Sequence, residues 1–95
     1  MPKAYIVSCY LDSPDEDRLA EYAGPAKAAF DALGGRFIVR AIPSHIFEAG
    51  RQQRTIVIEF DSLAQAKAAY ESDEYQQARA ILGNVRRDVR IVEGV

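Results

Sequence analysis

Six segments carry the rhythm of a strand or a helix, in the order strand, helix, strand, strand, helix, strand. No other feature of the sequence constrains the fold as much. KAYIVSCYL, residues 3–11, is rich in β-branched and aromatic residues and reads as the first strand. Ser13-Pro14-Asp15-Glu16 then has the form of a capping box, with Ser13 placed to accept from the Glu16 amide and Pro14 suited to the first helical position. Leu19, Tyr22, Ala23, Ala26, Phe30 and Leu33 follow at helical spacing and hold one phase across Gly24-Pro25. A kink is expected there, because Pro25 lacks a backbone donor and crowds the preceding turn. Gly34 is expected to end the helix in the left-handed conformation. GRFIVRAI (35–42), RTIVIEF (54–60) and DVRIVEG (88–94) read as the other strands. PSHIFEAGRQQ, between the second and third, is expected to form a long hairpin arm that bends at Pro43 and turns near Ala49-Gly50.

The second helix opens at Asp61-Ser62, with Ser62 and Gln65 in capping-box spacing. Its apolar stripe changes phase partway. Leu63, Ala66 and Tyr70 form one stripe, and its straight continuation would meet Asp73, Glu74 and Gln77. Apolar spacing resumes instead at Tyr75, Ala78 and Leu82. The helix is therefore expected to break at Ser72-Asp73, where either residue can cap a new start. A straight helix of roughly twenty residues would run about 30 Å, longer than a six-residue strand beneath it. Tyr70 and Tyr75 are expected on the inner side of the bend, and Gly83-Asn84 ends the second piece. The order β-α-β-β-α-β is the ferredoxin-like plan: one α+β domain over residues 1–95, with a four-stranded antiparallel sheet and the helices on one face.

Pattern places Phe37, Val39, Ala41, Ile56, Ile58, Phe60, Val89 and Ile91 under the helices. The opposite face then carries Arg36, Ile38, Arg40, Ile42, Thr55, Val57, Glu59, Arg90 and Val92, and the first strand is apolar on both sides. A face open to water should alternate toward polar residues. This one does not, and an exposed apolar patch of a few hundred Å² invites a cover. The expected cover is a second copy of the chain, in a two-fold homodimer. Arg40 and Glu59 are expected as neighbours on that face, either as a structural ion pair or as a ligand-gripping arginine with Glu59 as its orienter or general base.

Net charge is −2 with both signs interspersed, which gives no field for nucleic acid. Arg86, Arg87 and Arg90 form a local basic cluster, expected at a solvated helix and strand end. No apolar run approaches the roughly 20 residues needed to cross a bilayer, and no leader precedes the first strand, so neither a membrane nor export is expected. The lone Cys9 cannot form an intrachain disulfide and is expected as a small buried hydrophobe in a reducing cytoplasm. One histidine and one cysteine make no metal constellation. No dinucleotide loop, phosphate loop or Ser-His-Asp order stands out, so no bound cofactor is expected. His45 lies on the arm, where surface or dimer contact is the default.

Three segments, GGRFIVR (34–40), VIEFDSLAQAKAAYESDEYQQAR (57–79) and RDVRIVEG (87–94), resemble the family called domain of unknown function 1330. These are small bacterial proteins of the dimeric α+β barrel superfamily. The family's usual Trp-Tyr pair followed by Asn-Ser-Pro-Glu-Tyr is matched here at Tyr70, Ser72, Glu74 and Tyr75, whereas Ala69, Glu71 and Asp73 depart from it. The resemblance implies a ferredoxin-like protomer and a sheet-to-sheet dimer but no settled activity, because the superfamily includes enzymes of several kinds. Two functions remain open. One is a cofactor-independent enzyme acting on a small acidic or aromatic molecule, in a pocket between sheet and helices. Its candidate ligand-binding residues are Tyr10, Arg40, Glu59, Tyr70, Ser72 and Tyr75, with Glu59 and His45 as candidate catalytic groups. The other is a non-catalytic dimeric ligand-binding or stress-response module. A cavity of at least ~300 Å³ with Arg40 and tyrosine hydroxyls converging on it would favour the first, and a solidly packed site the second.

Overall fold

The computed structural model describes residues 2–95. The chain runs β1 (Ala4–Tyr10), α1 (Glu16–Ala32), β2 (Arg36–Ala41), β3 (Thr55–Phe60), α2 (Leu63–Glu71), α3 (Asp73–Ile81) and β4 (Arg87–Glu93). The strands form one sheet in the order β2-β3-β1-β4, every neighbouring pair antiparallel. This is the expected ferredoxin-like α+β arrangement, with the long helix expected after β3 divided into α2 and α3. β1 is central and splits by face: Ala4, Ile6, Ser8 and Tyr10 are buried beneath the helices, while Tyr5, Val7 and Cys9 are half-buried on the open side. Cys9 is thus not a core residue, because its strand parity places it on the face without helices.

The helix ends follow their caps. Asp15, not Ser13, caps α1, accepting from the Arg18 amide at 3.0 Å. The helix therefore starts two residues later than the Ser-Pro pair implies, and Ser13 Oγ accepts instead from Gln53 Nε2 of the arm at 3.0 Å. α1 continues through Pro25 as one helix and ends ahead of Gly34, whose φ of +89° requires glycine there. Gly35 is tightly enclosed: a Cβ on it would stand 2.7 Å from the Phe60 ring. Ser62 caps α2 by accepting from the Gln65 amide at 3.2 Å. Gln65 does not close the box. Its side chain reaches Leu33 O at 3.0 Å and ties α2 to the end of α1.

The break falls where the stripe changes phase. Ser72 has extended backbone (φ −64°, ψ 149°) and serves both helices. Its Oγ donates to Ala69 O at 2.7 Å and accepts from the Tyr75 amide at 3.2 Å. One hydroxyl thus adds a second donor to the Ala69 carbonyl, which also accepts from the Ser72 amide at 3.3 Å, and satisfies a stranded N–H of α3. Tyr70 and Tyr75 pack together across the bend, with ring centroids 5.0 Å apart. Phe30 is central to the core, with ring centroids 6.0 Å from Phe37, 6.1 Å from Phe60 and 4.4 Å from Tyr75. Burial of each such ring stabilises the fold by about 1.5–3 kcal/mol.

The register of β2 departs from simple alternation. Phe37 lies opposite Ile58, but Val39 lies opposite Val57 and Arg40 opposite Ile56. A bulge between Phe37 and Val39 adds one residue and inverts the parity of the rest of the strand. Val39 and Ala41 therefore do not lie under the helices as expected. They pair with the open-face residues Val57 and Thr55, and Val39 is 43% exposed. Arg40 turns to the helix side. The Arg40–Glu59 pair consequently does not exist: Glu59 lies opposite Arg36, accepts from its Nε at 3.0 Å, and accepts from Tyr5 Oη at 3.4 Å. Ile42 lies beyond the strand, on the arm, which turns at Glu48-Ala49 with the Gly50 amide donating to Phe47 O at 2.9 Å.

Candidate functional site

Two adjacent rows of side chains cross the covered face of the sheet near one end. The first comprises Arg87, Tyr10 and Arg54. Tyr10 is the register partner of Arg87, and its amide donates to Arg54 O at 2.9 Å. The second comprises Val89, Ser8, Ile56 and Arg40, matched pairwise across β4, β1, β3 and β2. α1 lays Leu19, Tyr22, Ala26 and Phe30 over these rows, and the α2–α3 bend adds Tyr70 and Tyr75. The enclosed space is about 40 Å³, well below the roughly 300 Å³ or more of a typical ligand pocket. It adjoins a more polar cavity of about 220 Å³, beside the end of α3 at Leu82 and Gly83. Arg87, Tyr70 and Val89 border both.

Arg87 organises the polar side of the pocket. Nη1 donates to Tyr22 Oη at 3.4 Å, Nη2 donates to Tyr75 Oη at 3.2 Å, and the two hydroxyls are 2.8 Å apart. The guanidinium also lies over the Tyr10 ring at 5.7 Å and the Tyr22 ring at 5.8 Å, where the negative ring faces attract it. Burial opposes its charge, but the surrounding tyrosines outweigh that and hold it above the ordinary arginine value. Burial pushes the hydroxyls of Tyr10 and Tyr22 upward, for Tyr22 strongly. The site therefore holds a charged guanidinium beside Tyr10 and Tyr22 hydroxyls that burial keeps protonated. Among the described residues no carboxylate pairs with Arg87, Arg54 or Arg40, although Arg86 and Arg90 each have one and Arg36 has two.

Of the residues expected at a site, Tyr10, Arg40, Tyr70 and Tyr75 line this pocket. Arg40 arrives because of the bulge and lies over the Phe37 ring at 5.5 Å. Glu59 is on the other face of the sheet. Ser72 stands at the helix junction with its hydroxyl engaged in capping, and His45 is exposed on the arm, its Nδ1 3.0 Å from Ser44 Oγ. The sequence reading missed Ser8, Tyr22, Arg54 and Arg87. It treated Tyr22 as one more core position and Arg87 as part of an exposed cluster. That cluster divides: Arg86 chelates Asp12 at 2.9 Å through Nε and Nη2, Arg90 likewise holds Asp88 at 2.9 and 3.0 Å, and Arg87 alone turns inward. The available signal was Ser8, a polar residue within the buried set Ala4-Ile6-Ser8-Tyr10.

A comparison with curated protein sequences finds no match. Solved structures share the fold at low identity. A protein of unknown function from Rhodopseudomonas palustris superposes with a TM-score of 0.74 at 11% identity, over 99% of this chain and 83% of that one. A dimeric ferredoxin-like protein of unknown function from Jannaschia sp. CCS1 gives 0.71 at 15% identity, over 97% and 99%. A Caulobacter crescentus CB15 protein, provisionally described as an antibiotic biosynthesis monooxygenase, gives 0.63 at 13% identity, over 99% and 91%. Among the described residues no helix is long and apolar enough to cross a membrane. The model of the family described as "Domain of unknown function (DUF1330)" matches residues 3–95, and the chain belongs to that family.

Proposed function

We propose that the protein is a homodimer joined through the open faces of its two sheets, with one small-molecule pocket per protomer between sheet and helices. One observation carries the pocket. Arg87 and the hydroxyls of Tyr22 and Tyr75 form a polar group beneath the helices with donors to spare, and the cavity borders on it. The dimer draws on the exposure of Ile38, Val39 and Val92, at 52%, 43% and 47%, and on a solved relative described as dimeric. A free, half-buried Cys9 fits a reducing cytoplasm.

Between a binding protein and a catalyst, the geometry supports binding. Among the described residues no Asp, Glu or His lines the pocket, which gives it no carboxylate or imidazole as a general base near neutral pH. Glu59 is committed to Arg36 and Tyr5 on the other face. The enzyme reading draws on the fold likeness to a protein provisionally described as a monooxygenase, and it requires the phenols to act as the acid–base groups.

Light scattering after size exclusion at micromolar concentration is expected to give twice the 10.5 kDa protomer mass. Val39→Asp with Val92→Asp is expected to return it to the protomer mass. A thermal-shift screen of small aromatics and carboxylates is expected to give stabilising ligands whose effect Arg40→Ala or Tyr70→Ala reduces. A wild-type chain at protomer mass sinks the dimer, and the absence of any stabilising compound sinks the pocket.

A further inference from the structure

We infer that the ligand of this pocket is an anion, a small carboxylate with an apolar or aromatic body, whose carboxylate is hydrogen-bonded by Ser8 and held by Arg87 and Arg54. This rests on the pocket reading above and goes further by fixing the ligand's charge and its orientation.

The first observation is Ser8. It is only 4% exposed, lines the cavity, and its Oγ is the one buried side-chain polar atom among the described residues with no hydrogen-bond partner. Buried hydroxyls are seldom left this way, because losing water without a replacement partner is costly. Ser8 also lacks a structural task of its own. It does not cap, tie or bridge anything, and alanine would fill the strand position equally well.

The second observation is independent of the first. The pocket wall carries Arg40, Arg54 and Arg87 and no Asp or Glu, in a chain whose acids outnumber its bases by 14 to 12. Arg87 has five N–H groups, and only two hydrogen bonds to neutral phenols are made by them. The phenols themselves have a proton to spare. Each hydroxyl carries one hydrogen, one of the two is used in the Tyr22–Tyr75 bond, and the other remains free to donate. The site therefore presents donors and positive charge with no ionised acceptor to match, and an anion is the complement of that arrangement.

Register brings these groups together. Ser8 lies in the row beside Arg87, Tyr10 and Arg54, on the same face and two residues from Tyr10. Diagonal neighbours across antiparallel strands lie roughly 7–8 Å apart at Cα, within reach of an arginine side chain. The enclosed 40 Å³ is the room of about two or three waters, or one carboxylate group. Burial sets the direction. Ser8, Tyr10 and Tyr75 are buried, Leu19 and Ala23 half-buried, and Arg40 exposed. The carboxylate goes inward, and the apolar body follows the wall of Leu19, Ala23 and Phe37 outward, past Arg40.

The test is isothermal titration at pH 7 with butyrate, benzoate and phenylacetate, each matched against its neutral amide. Wild type, Ser8→Ala, Arg54→Gln and Arg87→Met are compared. Carboxylates are expected to bind wild type and their amides to bind at least tenfold more weakly. Ser8→Ala removes a hydroxyl without a partner, so its unfolding midpoint is expected to hold or rise while carboxylate affinity falls roughly tenfold. Arg54→Gln serves where Arg87→Met fails to fold. Amides binding as well as carboxylates overturns the anion and leaves the pocket standing. Failure of both series overturns the anion and the pocket together. Carboxylate binding that all three variants leave unchanged places the anion elsewhere and overturns the assignment of Ser8, Arg54 and Arg87.

Discussion

The two faces of the sheet treat their arginines in opposite ways. On the open face and its rim, guanidinium groups find carboxylates: Arg36 with Glu59 and Asp61 at 3.0 Å, and Arg90 with Asp88 at 2.9 Å. On the covered face, among the described residues, none of Arg40, Arg54 and Arg87 pairs with a carboxylate; Arg40 lies over the Phe37 ring, and Arg87 donates to the Tyr22 and Tyr75 hydroxyls. Exposed pairs of the first kind contribute little and are common on any surface. For the half-buried Arg54 and Arg87 the second arrangement is the costly one, because a cation without a counter-charge loses hydration that ring faces and phenols only partly replace. The difference teaches where to look for function: the open face settles its charges within the sheet, whereas the covered face leaves donors unmatched, which is what the proposed ligand would answer.

The comparison breaks first if the covered face does not carry the stability of the fold. Phe30 is 2% exposed and touches aromatic rings from β2, β3 and α3. Phe30→Ala is expected to lower the unfolding free energy by about 3–5 kcal/mol, from lost transfer energy plus the cavity left behind. That is a large part of the roughly 5–15 kcal/mol typical of a domain. Urea denaturation monitored by tyrosine fluorescence measures it. A loss below about 1 kcal/mol means the helices do not pack on the sheet as described.

A smaller effect separates the faces by pH. Tyr10 and Tyr22 sit on the covered side with hydroxyls raised above the ordinary value of 10.0, chiefly by burial. The fold favours their neutral forms. The stability they contribute is complete below pH 10 and falls as pH rises beyond it, because the unfolded chain releases protons that the folded chain keeps. Tyr22→Phe is expected to flatten that alkaline fall, while costing about 1 kcal/mol at neutral pH through its lost contacts with Arg87 and Tyr75. Urea midpoints from pH 8 to 11, read beside tyrosinate absorbance, decide it. An alkaline slope identical in wild type and variant contradicts the burial of that hydroxyl.

Much of this architecture is legible in the chain because it is written in local spacing. The Ser72 break shows as a phase change, since two helices on different axes need two stripes, and the strands show as β-branched alternation. The bulge at Ile38-Val39 does not show. One extra residue without a glycine leaves alternation intact on paper, and its effect on Arg40 and Glu59 depends on how β2 meets β3. The same limit hid Arg87. It reads as the middle of a basic run, and only pairing with Tyr10 turns it beneath α1. Strand parity assigned Ser8 to one side of β1, but its lack of a partner depends on what the helices bring over it. Periodicity finds elements, whereas register and packing decide which polar groups meet.

The smallest expected effect belongs to the paired arginines, and it sharpens the contrast from the acid side. Asp12, Asp61 and Asp88 are lowered from the ordinary 3.8, each first by hydrogen bonds from its arginine: Arg86, Arg36 and Arg90. Carboxyls depressed by folding contribute stability that is present above pH 3.8 and lost as pH falls through their lowered values. Asp61 is exposed and Asp12 and Asp88 are partly so, so the loss is expected to be slight and screened by salt, whose Debye length shortens from about 10 Å at 0.1 M to 3 Å at 1 M. Asp88→Asn is expected to remove one share of the acid-limb slope at low salt and to leave the alkaline limb unchanged. If it alters the alkaline limb instead, the two faces are electrostatically coupled through the sheet, and their separate treatment of charge fails.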